Sequence, residues 1–203
     1  MVSAWETLPG ETPIDDVSGL KIKGIRTRTE LNKIEAENIR KAYVKYLAAK
    51  PTRRMARFDL AWVLQLHREM FEDVWMWAGT VRTTEKNLGV PSWRIQTDLQ
   101  TLLDDLTCWD REEMDIDIME QAVRLHHRAV YIHPFENGNG RWARLLSNIW
   151  LRLHDHPPLV WPEATIGTES LIRAEYLAAI RAADRSDYCQ LMELHRRFTA
   201  NEE

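Results

Sequence analysis

Apolar residues recur at spacings of three and four through almost the whole chain, and that period confines most of it to amphipathic helices. Leu31, Ile34, Ile39, Ala42, Tyr43 and Tyr46 make one stripe, which Thr29 could cap and Pro51 would end. Leu60, Val63, Leu64, His67, Phe71 and Val74 make a second, starting near Asp59. Similar patterns follow Ser92, cover IDIMEQAVRLHHRAV and WARLLSNIWLRLH, and fill ESLIRAEYLAAIRAAD and DYCQLMELHRRFTA. The stripe disappears only between Gly79 and Pro91, where threonines and valines suit a short β-hairpin or extended loop. The expected class is therefore all-α: about seven helices with one short β element.

Composition narrows the function. The 203 residues are 44% apolar and 29% charged, ordinary for a soluble globular protein. A net charge of −4 supplies no field toward nucleic acid or anionic lipid, so no direct nucleic-acid or membrane partner is expected. Residues 1–20 carry Pro9, Gly10, Pro13 and Gly19 and lack an apolar run, reading as an irregular arm and not a signal peptide. Cys108 and Cys189 form no CxxC pair, so neither zinc nor a disulfide framework is expected and a cytoplasmic location is the default. The nine tryptophans read as large core aromatics.

The segment HPFENGNGRWAR carries the chemistry. Gly138 and Gly140 flank Asn139 where a helix begins, and glycines let backbone N–H groups turn inward toward a ligand. A helix start adds unsatisfied N–H donors and partial positive charge, which suit phosphate. Arg141 and Arg144 stand one turn apart, so both project from one side, while Trp142, Leu145, Leu146, Ile149, Trp150 and Leu153 form a separate anchoring face. His133 just before the loop can take a proton from an attacking hydroxyl. Any of these features alone is structural, since Gly-Asn-Gly is a common turn and helix arginines are usually solvated. Their coincidence within twelve residues points to phosphoryl-type transfer. His67, His126 and His127 form no HxxxH pair and read as hydrogen-bonded histidines, not metal ligands.

These residues resemble the Fic family signature HxFx(D/E)GNGRxxR, with His133, Phe135, Gly138, Asn139, Gly140, Arg141 and Arg144 in place and Asn137 departing from it. LHREMFEDVWMWAGTVR and YLAAIRAADRSDYCQLMEL resemble the family's other elements, so residues 58–203 are assigned to a Fic domain and 1–57 to an arm and helix. The arm TPIDDVSGLKIKGIRTRTELNKIEAENI resembles a subfamily called mobile mystery protein B. The resemblance implies a helical bundle with a β-hairpin flap, here 81–93 with Val81, Arg82 and Gly89, whose strand pairs with the target segment.

It implies further that His133 is the general base, that Phe135 is a core anchor, and that Gly138, Asn139 and Gly140 form the anion hole. Arg141 would hold a distal phosphate, and Arg144 the terminal phosphate or an inhibitory glutamate. The implied activity is protein adenylyltransfer: AMP moves from ATP to a Ser, Thr or Tyr hydroxyl of an unidentified target protein, with Mg²⁺ present. Asn137 stands where the family uses an acidic Mg²⁺ ligand, and an amide oxygen is a weaker partner for a hard cation. Transfer of another group such as UMP or phosphocholine, and a weakly active nucleotide-binding module of a mobile element with a small helix-turn-helix partner, stay open. The helix LNKIEAENI resembles the family's self-inhibitory helix without its Ser or Thr. Glu35, which keeps the Ile-Glu step, is expected to pair with Arg144, with Glu37 as the alternative.

Overall fold

The computed structural model describes residues 18–111 and 115–200. They form eight α-helices: α1 (Arg28–Leu47), α2 (Leu60–Phe71), α3 (Ile95–Trp109), α4 (Ile118–Ile132), α5 (Asn139–Leu153), a one-turn α6 (Glu163–Ile166), α7 (Leu171–Ala183) and α8 (Cys189–Phe198). A 3₁₀ turn, Ser92–Arg94, leads into α3. The proline and threonine arm before residue 18 lies outside the described residues.

α5 is the central element. Its expected apolar face is buried, with Trp142, Leu145, Ile149 and Trp150 at or near zero exposure, and it packs chiefly against α4, with α1 and α2 beside it. Of the tryptophans, Trp62, Trp75, Trp142, Trp150 and Trp161 are buried in the core, whereas Trp93 is exposed. Leu31, Ala42 and Tyr46 bring α1 into the same core. α1 also buries two polar side chains, Glu35 and Asn38, which face the turn after α2. Asn38 both donates to Asp73 (3.1 Å) and accepts from the Asp73 N–H (3.2 Å), docking α1 on that turn.

The start of α1 differs from expectation. Thr27, not Thr29, is the N-cap, because Glu30 stands three residues after it and closes a capping box with the Arg26 and Thr27 N–H groups. α2 starts beside Asp59 as expected, and Asp59 is its N-cap, accepting from the Trp62 N–H at 2.7 Å.

The β-hairpin flap is a correction. No strand forms among the described residues, and the only bridges there are isolated ones, Leu20 with Trp75 and Leu159 with Thr199. In the segment 81–93 two backbone donors pair with the end of α4 and the turn after it, where a hairpin would pair them with each other. The Arg82 N–H reaches the Pro134 carbonyl (2.9 Å) and the Val90 N–H reaches that of Ile132 (3.3 Å). No described helix is long and apolar enough to cross a membrane.

Candidate active site

The site begins where α4 stops. Proline at 134 disfavours helical backbone in the residue before it, and His133 leaves the helix in the left-handed conformation, φ 53° and ψ 60°. A non-glycine residue there costs on the order of 1 kcal/mol or more, so neighbours must impose it. Arg82 does so: its Nε donates to the His133 carbonyl (2.8 Å), and its other guanidinium nitrogens hold the carbonyls of Thr84 and Val90. Gly89 fits against this turn, since a Cβ there would stand 2.5 Å from that of His133. Arg82 and Gly89 thus brace His133 from behind, while Val81 packs at the edge of the core.

The loop is held from below by packing. Phe135 is fully buried, its ring stacked on His67 with centroids 3.6 Å apart and meeting Trp142 edge-on. The Gly79 N–H donates to His67 Nδ1 (3.0 Å), so Nε2 carries the proton and donates to the Asn137 carbonyl (3.1 Å). Burial pushes this imidazole down to about 3, so it stays neutral, which is the structural role expected of it. Asn139 staples the loop shut: its side chain accepts from the Phe135 N–H and donates to the Phe135 carbonyl, both at 2.9 Å. Gly138 takes φ +80° directly over Phe71, where a Cβ would come within 2.5 Å of the ring. With the loop so fixed, the N–H groups of Asn139, Gly140 and Arg141 stand in the first turn of α5, where no intrahelical carbonyl reaches them. Asn139 places its backbone N–H in that first turn and its side chain in the staple.

Above the loop opens a cleft of about 680 Å³, into which His133, Gly138, Gly140, Arg141 and Arg144 all face, with α1 and the α6–α7 segment as its walls. Burial, reinforced by the positive charges of Arg82 and Lys86 and opposed by a hydrogen bond to the Val130 backbone, pushes the His133 imidazole down to about 4. At neutral pH it is uncharged and able to accept a proton.

The two arginines are each met by a carboxylate, but not as expected. Glu35 is buried and its Oε2 takes Arg141 Nη1 at 2.7 Å, while Oε1 accepts from the Trp75 indole at 2.7 Å. The expected pair of Glu35 with Arg144 is not made. Trp75 fixes Glu35 over the first turn of α5, and Arg144, one turn on, faces α6 and is bound by Glu163 through Nε (2.7 Å) and Nη2 (2.5 Å). Burial alone would disfavour the Arg144 charge, but the Glu163 charge and hydrogen bonds outweigh it and hold the guanidinium above its ordinary range. Arg141 also lies over the Phe71 ring at 5.0 Å. Glu37, the alternative inhibitory residue, is exposed and pairs with Arg40 on its own helix instead of with Arg144.

The residues present do not fit a protein-built Mg²⁺ site. Asn137 Oδ1 accepts from the Gly138 N–H at 2.6 Å and lies 3.5 Å from Arg141 Nη2, so it sits beside a cation with its oxygen engaged. The neighbouring carboxylate, Glu136, is turned outward onto Thr84 (2.9 Å) and Lys86 (2.8 Å). Among the described residues no group of three or more His, Cys, Asp or Glu side chains could hold a metal.

The Fic/DOC family model matches residues 57–151, which cover α2, α3, α4, the loop after His133 and most of α5. The chain carries a Fic domain. Curated relatives include the protein adenylyltransferase fic-1 of Caenorhabditis elegans, 33% identical over 130 residues covering 62% of this chain, and the protein adenylyltransferase Fic of Drosophila grimshawi, 28% identical over 147 residues. The chain spans about a quarter of their length, 24% and 29% respectively. The fold resembles the Bartonella tribocorum effector BepC, solved with bound AMPPNP (TM-score 0.67, 19% identity, 93% of this chain and 96% of that one). It also resembles Fic-1 of C. elegans (TM-score 0.62, 26% identity, 87% of this chain and 50% of that one).

Reasoning from sequence missed three contributors to this geometry: Glu163, Trp75 and the stapling side chain of Asn139. Only Asn139 had a local signal, its place between two glycines at a helix start.

Proposed function

We propose that this Fic domain is a protein adenylyltransferase. The observation that carries this reading is the neutral, buried His133 set at the mouth of an N–H-lined loop with two arginines in one cleft. The naming of its curated relatives as protein adenylyltransferases and the AMPPNP bound to BepC support it. The phosphates of ATP lie across the first turn of α5, bonded by its N–H groups and Arg141. A Ser, Thr or Tyr hydroxyl of the target attacks the α-phosphorus and loses its proton to His133. The bond from that phosphorus to the bridging oxygen breaks, and pyrophosphate leaves. Catalysis of this kind rests on placement and charge stabilisation, which a fixed loop supplies.

Self-inhibition belongs to the same reading, in a changed form. Glu35 occupies Arg141, the arginine for a distal phosphate, so ATP must displace a carboxylate that Trp75 holds in place. α1 is thus a cover whose polar edge competes with the donor.

The test is to incubate the whole chain separately with ATP, UTP, GTP and CDP-choline and measure its intact mass. Gain of one AMP unit from ATP supports the reading. A gain from another donor alone replaces adenylyltransfer by that chemistry, and no gain with any of them, on itself or on added cell protein, ends it.

A further inference from the structure

We propose that His126 is a positioning residue: through Tyr176 it aims the open edge of Arg144 at the anion loop, an inference that rests on the nucleotide reading above. Glu163 takes the Nε and Nη2 edge of Arg144, which leaves the Nη1 and Nη2 edge for a second bidentate contact. Nη1 stands beside Gly140, where a Cβ would lie 3.3 Å from it, so the open edge borders the loop. A long side chain that must meet an anion in one pose loses rotamer freedom, and a support behind it removes that cost in advance. Tyr176 is such a support: the guanidinium lies over its ring, 5.5 Å from the centroid.

Tyr176 is held in turn by a chain of rings from three helices. Its hydroxyl lies 3.0 Å from His126 Nε2, and His126 Nδ1 lies 2.9 Å from His195 Nε2. Both histidines are fully buried and Tyr176 nearly so, and Trp161 meets all three rings edge-on. Burial first, then repulsion from His195, Arg144 and His127, holds His126 well below its ordinary range, so the ring is neutral. Burial raises Tyr176, against the opposing charge of Arg144, so it stays a phenol. Arg144 can only donate, and its charge turns the phenol lone pairs toward itself, so the phenol proton points at His126 Nε2. His126 then carries its own proton on Nδ1 and gives it to His195 Nε2. The phenol cannot turn away without unpairing a buried nitrogen. The chain ends at His195 Nδ1, which is buried without a hydrogen-bond partner among the described residues. Three apolar rings would avoid that cost, and what the polar chain adds is one fixed orientation of the phenol beside Arg144. His126 is buried behind Tyr176, so its influence on a nucleotide passes through Tyr176 and Arg144.

Calorimetry of the full chain tests this, with ATP titrated directly and adenosine read by displacement of ATP. The amide of Asn reaches about as far as Nδ1 of histidine, and that of Gln about as far as Nε2. His126→Asn therefore keeps the His195 side of the chain and releases Tyr176. It is expected to weaken ATP by about three- to tenfold, the worth of ordering one freed side chain, with adenosine changed less than about twofold. His126→Gln still reaches the Tyr176 hydroxyl and is expected to restore both affinities to within about twofold of the wild type. In an Arg144→Ala background, His126→Asn should change neither ligand further. If the variants at 126 do not fold, Tyr176→Phe, which keeps the ring and loses only the hydroxyl, should reproduce the asparagine result. An ATP-to-adenosine affinity ratio that stays at the wild-type value in the folded variant, the same change from glutamine as from asparagine, or an effect that persists without Arg144 overturns the inference alone. Failure of the wild type to bind ATP overturns it together with the nucleotide reading.

Discussion

The anion loop and helix α1 face each other across one cleft and are held by opposite kinds of force. The loop is fixed by contacts no ligand competes for: Phe135 stacked on His67, Asn139 bonded twice to Phe135, and Gly138 pressed on Phe71. α1 shares the core through Leu31, Ala42 and Tyr46, but beside the site it is held by charge, Glu35 on Arg141 and Asn38 with Lys41 on Asp73. The difference teaches where a ligand can act. On the proposed function, phosphate leaves the loop as it is but competes for the same guanidinium that holds the polar edge of α1.

The largest expected effect lies on the loop side. Gly138→Ala puts a Cβ into the Phe71 ring at a backbone angle alanine resists, so stability should fall by about 3 kcal/mol or more in a denaturant titration, and nucleotide binding with it. Asn139→Ala should cost somewhat less, about 2–4 kcal/mol, because it leaves the buried N–H and carbonyl of Phe135 without their partner. If either variant melts like the wild type, the loop is not held from below as described.

Acid tests this packing at His67 and His133, and the burial of α8 at His195. His67 and His195, fully buried and pushed to about 3, and His133, pushed to about 4, are neutral in the fold, while in the unfolded chain imidazole titrates near 6.5. Between those values the unfolded state binds more protons, so stability should fall as pH falls from about 6.5 toward 4, by about one kcal/mol per pH unit for each ring. Above pH 7 these groups should contribute no slope. A flat denaturant midpoint from pH 7 to 5 would mean that these rings are hydrated.

On the α1 side the expected effects are smaller and functional. Glu35→Gln keeps an acceptor for the Trp75 indole but removes the charge on Arg141. ATP affinity and self-modification should therefore rise about tenfold, the worth of one partly buried charge contact. Glu37→Gln, altering only a surface pair with Arg40, should change neither rate nor stability measurably. Equal effects of the two substitutions would erase the distinction between a competing carboxylate and a solvated one.

What sequence reasoning could see follows from the range of each interaction. The helices, the apolar face of α5 and the gathering of His133, Gly138, Gly140, Arg141 and Arg144 are local patterns, readable from spacing within a turn or two. The flap was misread as a hairpin because its threonines and valines favour strands, whereas its backbone donors are captured by the end of α4, about fifty residues on. Glu35 was expected on Arg144, but it is on Arg141, and that partner depends on Trp75, forty residues away, which no local pattern announces. Glu163 lies in a one-turn helix after Pro162, too short to leave a periodic trace. The cap at Thr27 was legible: Glu30 follows it at the capping-box distance, while Thr29 is followed there by Asn32.

The role of His133 as proton acceptor over a preformed phosphate cradle is most directly tested by comparing wild type and His133→Ala for ATP binding and for AMP transfer, read by intact mass. The variant should bind ATP within about threefold of the wild type and transfer AMP at least about a hundredfold more slowly, as expected for loss of a general base. Transfer at the wild-type rate by His133→Ala would show that another group takes the proton and that the cleft works by a different chemistry.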